Sequence, residues 1–352
     1  MKIPILNIYY LLCYAWNRLE EGETIPVSQL DKDEVSQLFA TVLIEGTLHL
    51  FKKGLDRGYI LHSDEISRLR GKIDFPVNLK RNFFKQPRLY CKYDELDYNV
   101  LHNQILKASI KNMINCKGLE KDANEKLKNL YRRLHYVEDI FLTKKSFRQL
   151  QLNRNNIFYD FLIKVCELIY DNLLISSSGE GGRFKDFIQD EILMRKIFED
   201  FVRNFYKRHL KNYDYIKSET IYWKLQPYAP NDASFLPDMH TDITIKLPNR
   251  KMIIDTKYYK NTLDAYYSKE MINSSNLYQL YSYLMNQRNA GDSASMRCEG
   301  VLLYPTVDHD YCLNYQYEGH KVTVRTINLN QNWQHIANDL QNIVTSDPNN
   351  WC

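Results

Sequence analysis

No two cysteines of the chain stand at CxxC spacing. The seven (Cys13, Cys91, Cys116, Cys166, Cys298, Cys312 and Cys352) are scattered and odd in number. That usage argues against a disulfide framework and against a cysteine zinc site, and it fits a reducing cytoplasm. HExxH is missing, and the histidines form no zinc pattern. There is no G-x-x-x-x-G-K-S/T, and RGKID at Arg70 lacks the upstream glycine, so the chain is not expected to bind GTP itself. The G-x-S-x-G elbow of many serine hydrolases is missing too. No segment reaches the ~20 apolar residues of a membrane span. The opening stretch MKIPILNIYYLLCYAWNRLEE faintly imitates a signal peptide. It contains Pro4 and Asn7 and ends in Trp-Asn-Arg rather than a small-residue cleavage site, so it reads as a buried amphipathic helix. A strong charge excess is also lacking: 47 basic against 43 acidic residues leave +4. The total implies no polyanion partner, and local basic patches must carry that question.

What is present describes a globular protein. Hydrophobic residues make up 44% and charged residues 26% of 352 positions, ordinary values for a chain with sizeable cores. At ~150 residues per domain, two domains are expected. Helical spacing covers roughly 8–19, 33–52, 99–114, 119–136 and 156–174, while 58–93 is strand-like, broken by Gly, Pro and charges. SSSGEGG, residues 176–182, is the one stretch of linker composition. The expected division is therefore an N-terminal domain at 1–175, a linker at 176–182 and a second domain at 183–352. In the second domain a helix is expected over 186–210, with Ile192, Leu193, Ile197, Phe201, Val202 and Phe205 on its apolar side. Strands follow near 215–225 and in a hairpin, then a helix over 275–286, strands at 300–304 and 321–327, and a helix over 331–344. This order indicates an α/β (α+β) fold with a central mixed sheet flanked by helices.

The hairpin TDITIKLPNRKMIIDTKYYK, residues 241–260, carries charges where a half-buried strand prefers apolar or neutral groups. A turn at Pro248–Lys251 sets Asp242 opposite Lys257 and Thr244 opposite Asp255. Because side chains alternate, Asp242, Thr244, Asp255 and Lys257 share one face. Ile243, Ile245, Leu247, Met252 and Ile254 make the other face apolar. Two carboxylates about 5–8 Å apart repel, and a divalent cation between them offsets the repulsion. Hard oxygen ligands select Mg²⁺, which takes one or two protein carboxylates and keeps its waters. A lysine beside such a site can hold an attacking water or neutralise an anionic transition state, the needs of phosphodiester hydrolysis.

Two helices add candidates. Glu199, inside the apolar IFEDFVRNFY, could face the hairpin as a further metal ligand. In SSNLYQLYSYLMNQ, Leu277, Leu280, Tyr281 and Leu284 make the apolar stripe. Gln279 and Tyr283, four apart, are neighbours that could touch the lysine or a DNA backbone. LKRNFFKQPR mixes Lys80, Arg81, Lys85 and Arg88 with two phenylalanines, a composition suited to DNA or partner contact. Tyr258 and Lys260, beside the lysine, extend that set.

Glu199, Asp242, Asp255-Thr256-Lys257 and Gln279-x-x-x-Tyr283 together resemble the PD-(D/E)xK nucleases, and Q-x-x-x-Y resembles their RecB-like branch. With IPILNIYYLLCYAW and NLYQLYSYL, the pattern resembles the McrC family, nuclease subunits of McrBC-type modification-dependent restriction systems. The resemblance spans essentially the whole chain. It implies a Mg²⁺-dependent endonuclease, with Asp242, Asp255 and more loosely Glu199 on the metal and Lys257 on the water and the developing charge. It implies a hexameric McrB-like AAA+ partner that binds GTP, recognises DNA with methylated cytosine, and has its GTPase stimulated by this subunit. The N-terminal part, with the basic segment at 79–88, would enter the partner ring, and two copies could pair for double-strand breaks. One departure stands out. The first acid follows Thr241, whereas a Pro-Asp pair occurs upstream at Pro237-Asp238. Asp242 is preferred, with Asp238 the alternative. A stand-alone RecB-like repair nuclease and a non-catalytic GTPase activator are the competing readings.

Overall fold

A computed structural model describes residues 3–27, 34–81, 87–153, 156–174, 183–184, 187–226, 231–258, 264–266, 269–289, 291–306 and 310–345. The chain forms two compact units, Met1–Gly22 together with Asp186–Cys352, and Glu23–Lys185. This corrects the expected division at its N-terminal end. Helix Ile5–Ala15 packs on helix Glu191–His209 of the second half. Asn7 explains part of the attachment: it is buried, and its Nδ2 donates to the carbonyls of Leu329 and Gln331 at 2.8 Å each. Tyr14 adds to it, with its ring against Phe201 and Phe205 and its hydroxyl 2.7 Å from His209 Nε2. The expected linker, 176–182, lies outside the described residues.

The unit Glu23–Lys185 packs helices Val35–Lys53, Leu101–Ile114, Lys121–Arg133 and Ile157–Asn172 together. Its three-stranded sheet pairs Gly58–Ile66 antiparallel with Leu89–Asp97, and the latter with Lys72–Ile73. These strands occupy the irregular stretch expected from composition. A short helix, Phe75–Lys80, interrupts it: Asp74 caps the helix through the Val77 N–H, and Pro76 sits where its missing N–H costs nothing.

The other unit is built on a six-stranded mixed sheet in the order Cys312–Tyr317, His320–Asn328, Glu299–Thr306, Arg250–Thr256, Ile243–Leu247, Tyr215–Lys217. At its centre Arg250–Thr256 is antiparallel to Ile243–Leu247 and parallel to Glu299–Thr306; the latter is parallel in turn to His320–Asn328. Helix Ser274–Gln287 makes the crossover that a parallel pair requires. It packs Leu280, Tyr283 and Leu284 against Ile253, Leu302, Tyr304 and Val324.

The hairpin turn is tighter than expected. Leu247 pairs with Arg250, Ile245 with Met252, Thr244 with Ile253 and Ile243 with Ile254. The register is therefore two residues away from the one read in the sequence. A slip of two leaves every side chain on its expected face, because the strand period is two. It does change the neighbours: Thr244 faces Ile253 rather than Asp255, and continuing the register sets Asp242 opposite Asp255 rather than Lys257.

Two further expectations are corrected. Ile192 is 81% exposed, because it lies in the first turn of helix Glu191–His209, outside the buried stripe Met194, Ile197, Phe198, Phe201, Val202 and Phe205. Tyr281, expected in the apolar stripe of Ser274–Gln287, is 37% exposed, while Tyr283, expected on its polar face, is buried. Cys13, Cys91, Cys116, Cys166 and Cys298 are free and buried, in keeping with the expected lack of a disulfide framework, and Cys312 is disulfide-bonded. Among the described residues, no helix is long and apolar enough to cross a membrane.

Candidate active site

The acids and the lysine meet at the C-terminal end of strand Arg250–Thr256. Asp255 sits in that strand as the next member, after Ile253, of the face that packs on helix Ser274–Gln287. Its relative exposure is 0%. Lys257 Nζ approaches Asp255 Oδ2 to 2.7 Å. That ion pair is the contact that balances the carboxylate: among the described residues no backbone N–H, hydroxyl or amide donates to either oxygen of Asp255. A buried carboxylate normally has such donors. Burial, then the charge of Asp242, pushes the Asp255 carboxyl up to about 7, with Lys257 opposing and Glu199 adding to the rise.

Asp242 stands immediately before strand Ile243–Leu247. Its Oδ2 accepts hydrogen bonds from the Thr256 N–H at 2.7 Å and the Thr256 hydroxyl at 2.9 Å. Thr256 is thus a site residue that sequence reading passed over, although it stands between the two singled-out residues of Asp-Thr-Lys. Asp238, the alternative first acid, is an exposed loop residue before strand Met239–His240. The geometry therefore joins Asp242, not Asp238, to Asp255.

Glu199 reaches the cluster from helix Glu191–His209. Burial and Asp242 raise its carboxyl to about 7, and Arg203 opposes them. Glu199 is nevertheless engaged: Arg203 Nη2 donates to its Oε1, while the same guanidinium donates to Asp200 and, at 3.3 Å, to the carbonyl of Asp242. Arg203 went unnoticed in the sequence, though its place four residues after Glu199 is the spacing of a helical ion pair. Among the described residues, no three His, Cys, Asp or Glu side chains form a metal-holding group. Glu199 nevertheless acts electrostatically on both Asp242 and Asp255. Asp242 and Asp255 are the facing pair, and Glu199 is turned to Arg203.

Gln279 and Tyr283 meet the lysine. Lys257 Nζ donates to Gln279 Oε1 at 2.9 Å, Gln279 Nε2 donates to the Tyr283 hydroxyl at 2.7 Å, and that hydroxyl donates to the His240 carbonyl at 2.8 Å. Burial pushes the Tyr283 phenol up to about 12. The chain from Lys257 to His240 fixes the lysine head beside Asp255. Tyr258 is not a surface contact: it is 2% exposed and its ring lies near Phe198. Lys80, Arg81 and Arg88 are exposed and belong to the unit Glu23–Lys185, with Arg88 3.5 Å from Glu65. Lys85 and Lys260 lie outside the described residues.

The donor set suits a hard divalent cation. Two facing carboxylates, one of them fully buried, match Mg²⁺, which needs only one or two protein carboxylates. An ammonium held beside them suits an anionic transition state.

A family model described as McrBC 5-methylcytosine restriction system component matches residues 7–305. The chain is 29% identical over 342 residues to the Type IV methyl-directed restriction enzyme EcoKMcrBC of Escherichia coli strain K12, covering 97% of each. The fold is shared with a chain in the refined half-complex from the tetradecameric assembly of Thermococcus gammatolerans McrB AAA+ hexamers with bound McrC. That likeness has a TM-score of 0.60 at 16% identity, over 97% of this chain and 76% of that one.

Proposed function

The chain belongs to the family of McrBC 5-methylcytosine restriction system components, and from that premise we propose that it is the DNA-cleaving subunit of such a system. The observation that carries the reading is Asp255: fully buried, set against Asp242, with the Lys257 ammonium 2.7 Å from Oδ2 and no neutral donor on either oxygen among the described residues. One lysine beside two carboxylates, one of them fully buried, leaves negative charge that a cation would balance.

Asp242 and Asp255 are the residues that would hold Mg²⁺. The ion would polarise the scissile phosphodiester and lower the pKa of a bound water. Lys257 supplies positive charge where the phosphoryl oxygens become more anionic, and Gln279 keeps its ammonium aimed there. Thr256 holds Asp242 through Oδ2, which orients its carboxylate. Glu199 tunes the pair through its charge and is itself restrained by Arg203.

The partner in this reading is a McrB-like AAA+ hexamer, which binds GTP and selects DNA with modified cytosine, while this chain stimulates the partner's GTPase. It draws support from the archaeal assembly of McrB AAA+ hexamers with bound McrC. The exposed Lys80, Arg81 and Arg88 are the proposed contacts to partner or DNA. The test combines the chain, its AAA+ partner, GTP, Mg²⁺ and methylated DNA. The wild type cleaves, and Asp255→Ala loses more than about 100-fold, beyond the loss expected for a supporting residue. Cleavage retained by Asp255→Ala sinks the assignment. Cleavage without partner or GTP favours a stand-alone nuclease.

A further inference from the structure

Three consecutive residues ahead of the hairpin are each held from a different element. The Tyr283 hydroxyl donates to the His240 carbonyl, and Arg203 Nε donates to the Asp242 carbonyl. Between them, Thr241 is 1% exposed and hydrogen-bonds through every polar atom it has. Its N–H donates to the Glu219 carbonyl at 3.0 Å. Its Oγ1 accepts the Glu219 N–H at 2.9 Å and lies 2.9 Å from Thr244 Oγ1. Its carbonyl accepts from Ser218 Oγ at 2.6 Å.

The Ser218–Glu219 segment is anchored in turn. The Glu219 carboxylate lies 2.9 Å from Lys251 Nζ and accepts from Tyr215 OH at 3.2 Å and Gln287 Nε2 at 3.3 Å. Lys251 is buried and also donates to Gln287. Lys251 belongs to the strand that carries Asp255, and Gln287 ends the helix that carries Gln279 and Tyr283. The half-buried Glu219–Lys251 ion pair thus ties the segment to the strand, and Gln287, bonded to both partners, ties it to the helix.

We propose that Thr241 is a positioning residue, clamped to Ser218–Glu219 so that Asp242 is held opposite Asp255 ready to share one divalent cation. The proposal rests on the nuclease reading above. Asp242 lies beyond the end of the ladder, which closes at Ile243 and Ile254. No strand pairing therefore fixes its backbone, and two like charges at short range push apart. The clamp opposes that repulsion before the cation arrives, so binding has less disorder to remove.

Thr241→Val keeps the shape and removes the hydroxyl; Thr241→Ser keeps the hydroxyl. The readout is an electron paramagnetic resonance titration of the metal-free chain with Mn²⁺. Thr241→Val raises the Mn²⁺ dissociation constant about 10-fold, the usual scale for a residue that supports a ligand. The Mg²⁺ concentration for half-maximal cleavage rises by the same factor, saturating Mg²⁺ restores the wild-type rate, and Thr241→Ser behaves as wild type. Unchanged Mn²⁺ affinity in Thr241→Val overturns the proposal, as does a rate loss that metal cannot restore. If circular dichroism shows Thr241→Val unfolded, Ser218→Ala, at an exposed position, removes the bond to the Thr241 carbonyl. It is expected to weaken Mn²⁺ binding in the same direction, and unchanged affinity there overturns the clamp. A wild-type chain that binds no Mn²⁺ overturns clamp and nuclease reading together. Wild-type binding with unaltered variants overturns the clamp alone.

Discussion

Lys257 Nζ stands 2.7 Å from Asp255 Oδ2, with the two residues two positions apart along one extended run. The lysine draws the aspartate toward ionisation, but burial and the charge of Asp242 outweigh it, so the carboxyl rises to about 7. The pair is therefore poised between a protonated, metal-free form and an ionised form that a cation would favour.

That poise sets the pH dependence of stability. With its folded pKa raised from 3.8 to about 7, Asp255 binds its proton more tightly in the folded chain. It contributes stability that is fully present below the unfolded pKa and lost as pH rises through about 7. Glu199, also raised to about 7, acts in the same direction. Compared with Asp255→Asn, which cannot ionise, the metal-free wild type should lose stability in urea melts between pH 4 and pH 7. Mg²⁺ competes with the proton, so its stabilising effect should be larger at pH 8 than at pH 6. A wild-type-to-variant difference that stays constant with pH would contradict the burial argument.

Gln279 is expected to act through the lysine. Gln279→Leu removes the acceptor for Lys257 and the donor to Tyr283. Single-turnover cleavage should slow by about 10- to 100-fold, the range for residues that orient a ligating or charged group. DNA affinity should hold. A fall in affinity with an unchanged cleavage step would assign Gln279 to DNA contact instead.

Gly300 reports on the support beneath the site. It pairs with Ile253 on one side and Val322 on the other, and a Cβ there would lie 2.9 Å from Leu284 Cδ1 and 3.0 Å from Leu280 Cδ2. Gly300→Ala should destabilise the chain by about 1–3 kcal/mol through overpacking. Chemical denaturation measures this, and a variant as stable as wild type would mean that the helix shifts freely over the sheet.

Asn7→Ala tests the attachment of the N-terminal helix. It leaves the carbonyls of Leu329 and Gln331 without this donor, at a cost of about 1–3 kcal/mol for a buried unsatisfied group. A fragment holding only 183–352 should melt lower than the intact chain or fail to fold. Equal melting temperatures would restore the division read from sequence.

Much of the site was legible because a strand's period of two is rigid. Asp242, Asp255 and Lys257 were placed on one face from alternation alone, and a register error of two residues left them there. The helix was harder to read. Tyr283 and Tyr281 are both amphipathic rings at plausible positions, and only contact with the sheet decides which is buried. Arg203 and Thr256 were passed over because their roles are to hold other residues, which spacing does not announce.

By itself, the sequence determined the mixed α/β class, the hairpin and the grouping of two acids with a lysine. Those follow from local periodicity and turn chemistry, which act between near neighbours in the chain. Tertiary structure alone decided that helix Ile5–Ala15 packs on Glu191–His209, that Asp242 rather than Asp238 faces Asp255, and that Glu199 turns to Arg203. Each of those outcomes, save the last, depends on burial and hydrogen bonds between residues far apart in sequence, whose register no local pattern contains. Even the Glu199 pair, local on its helix, depends on how that helix is rotated against the sheet.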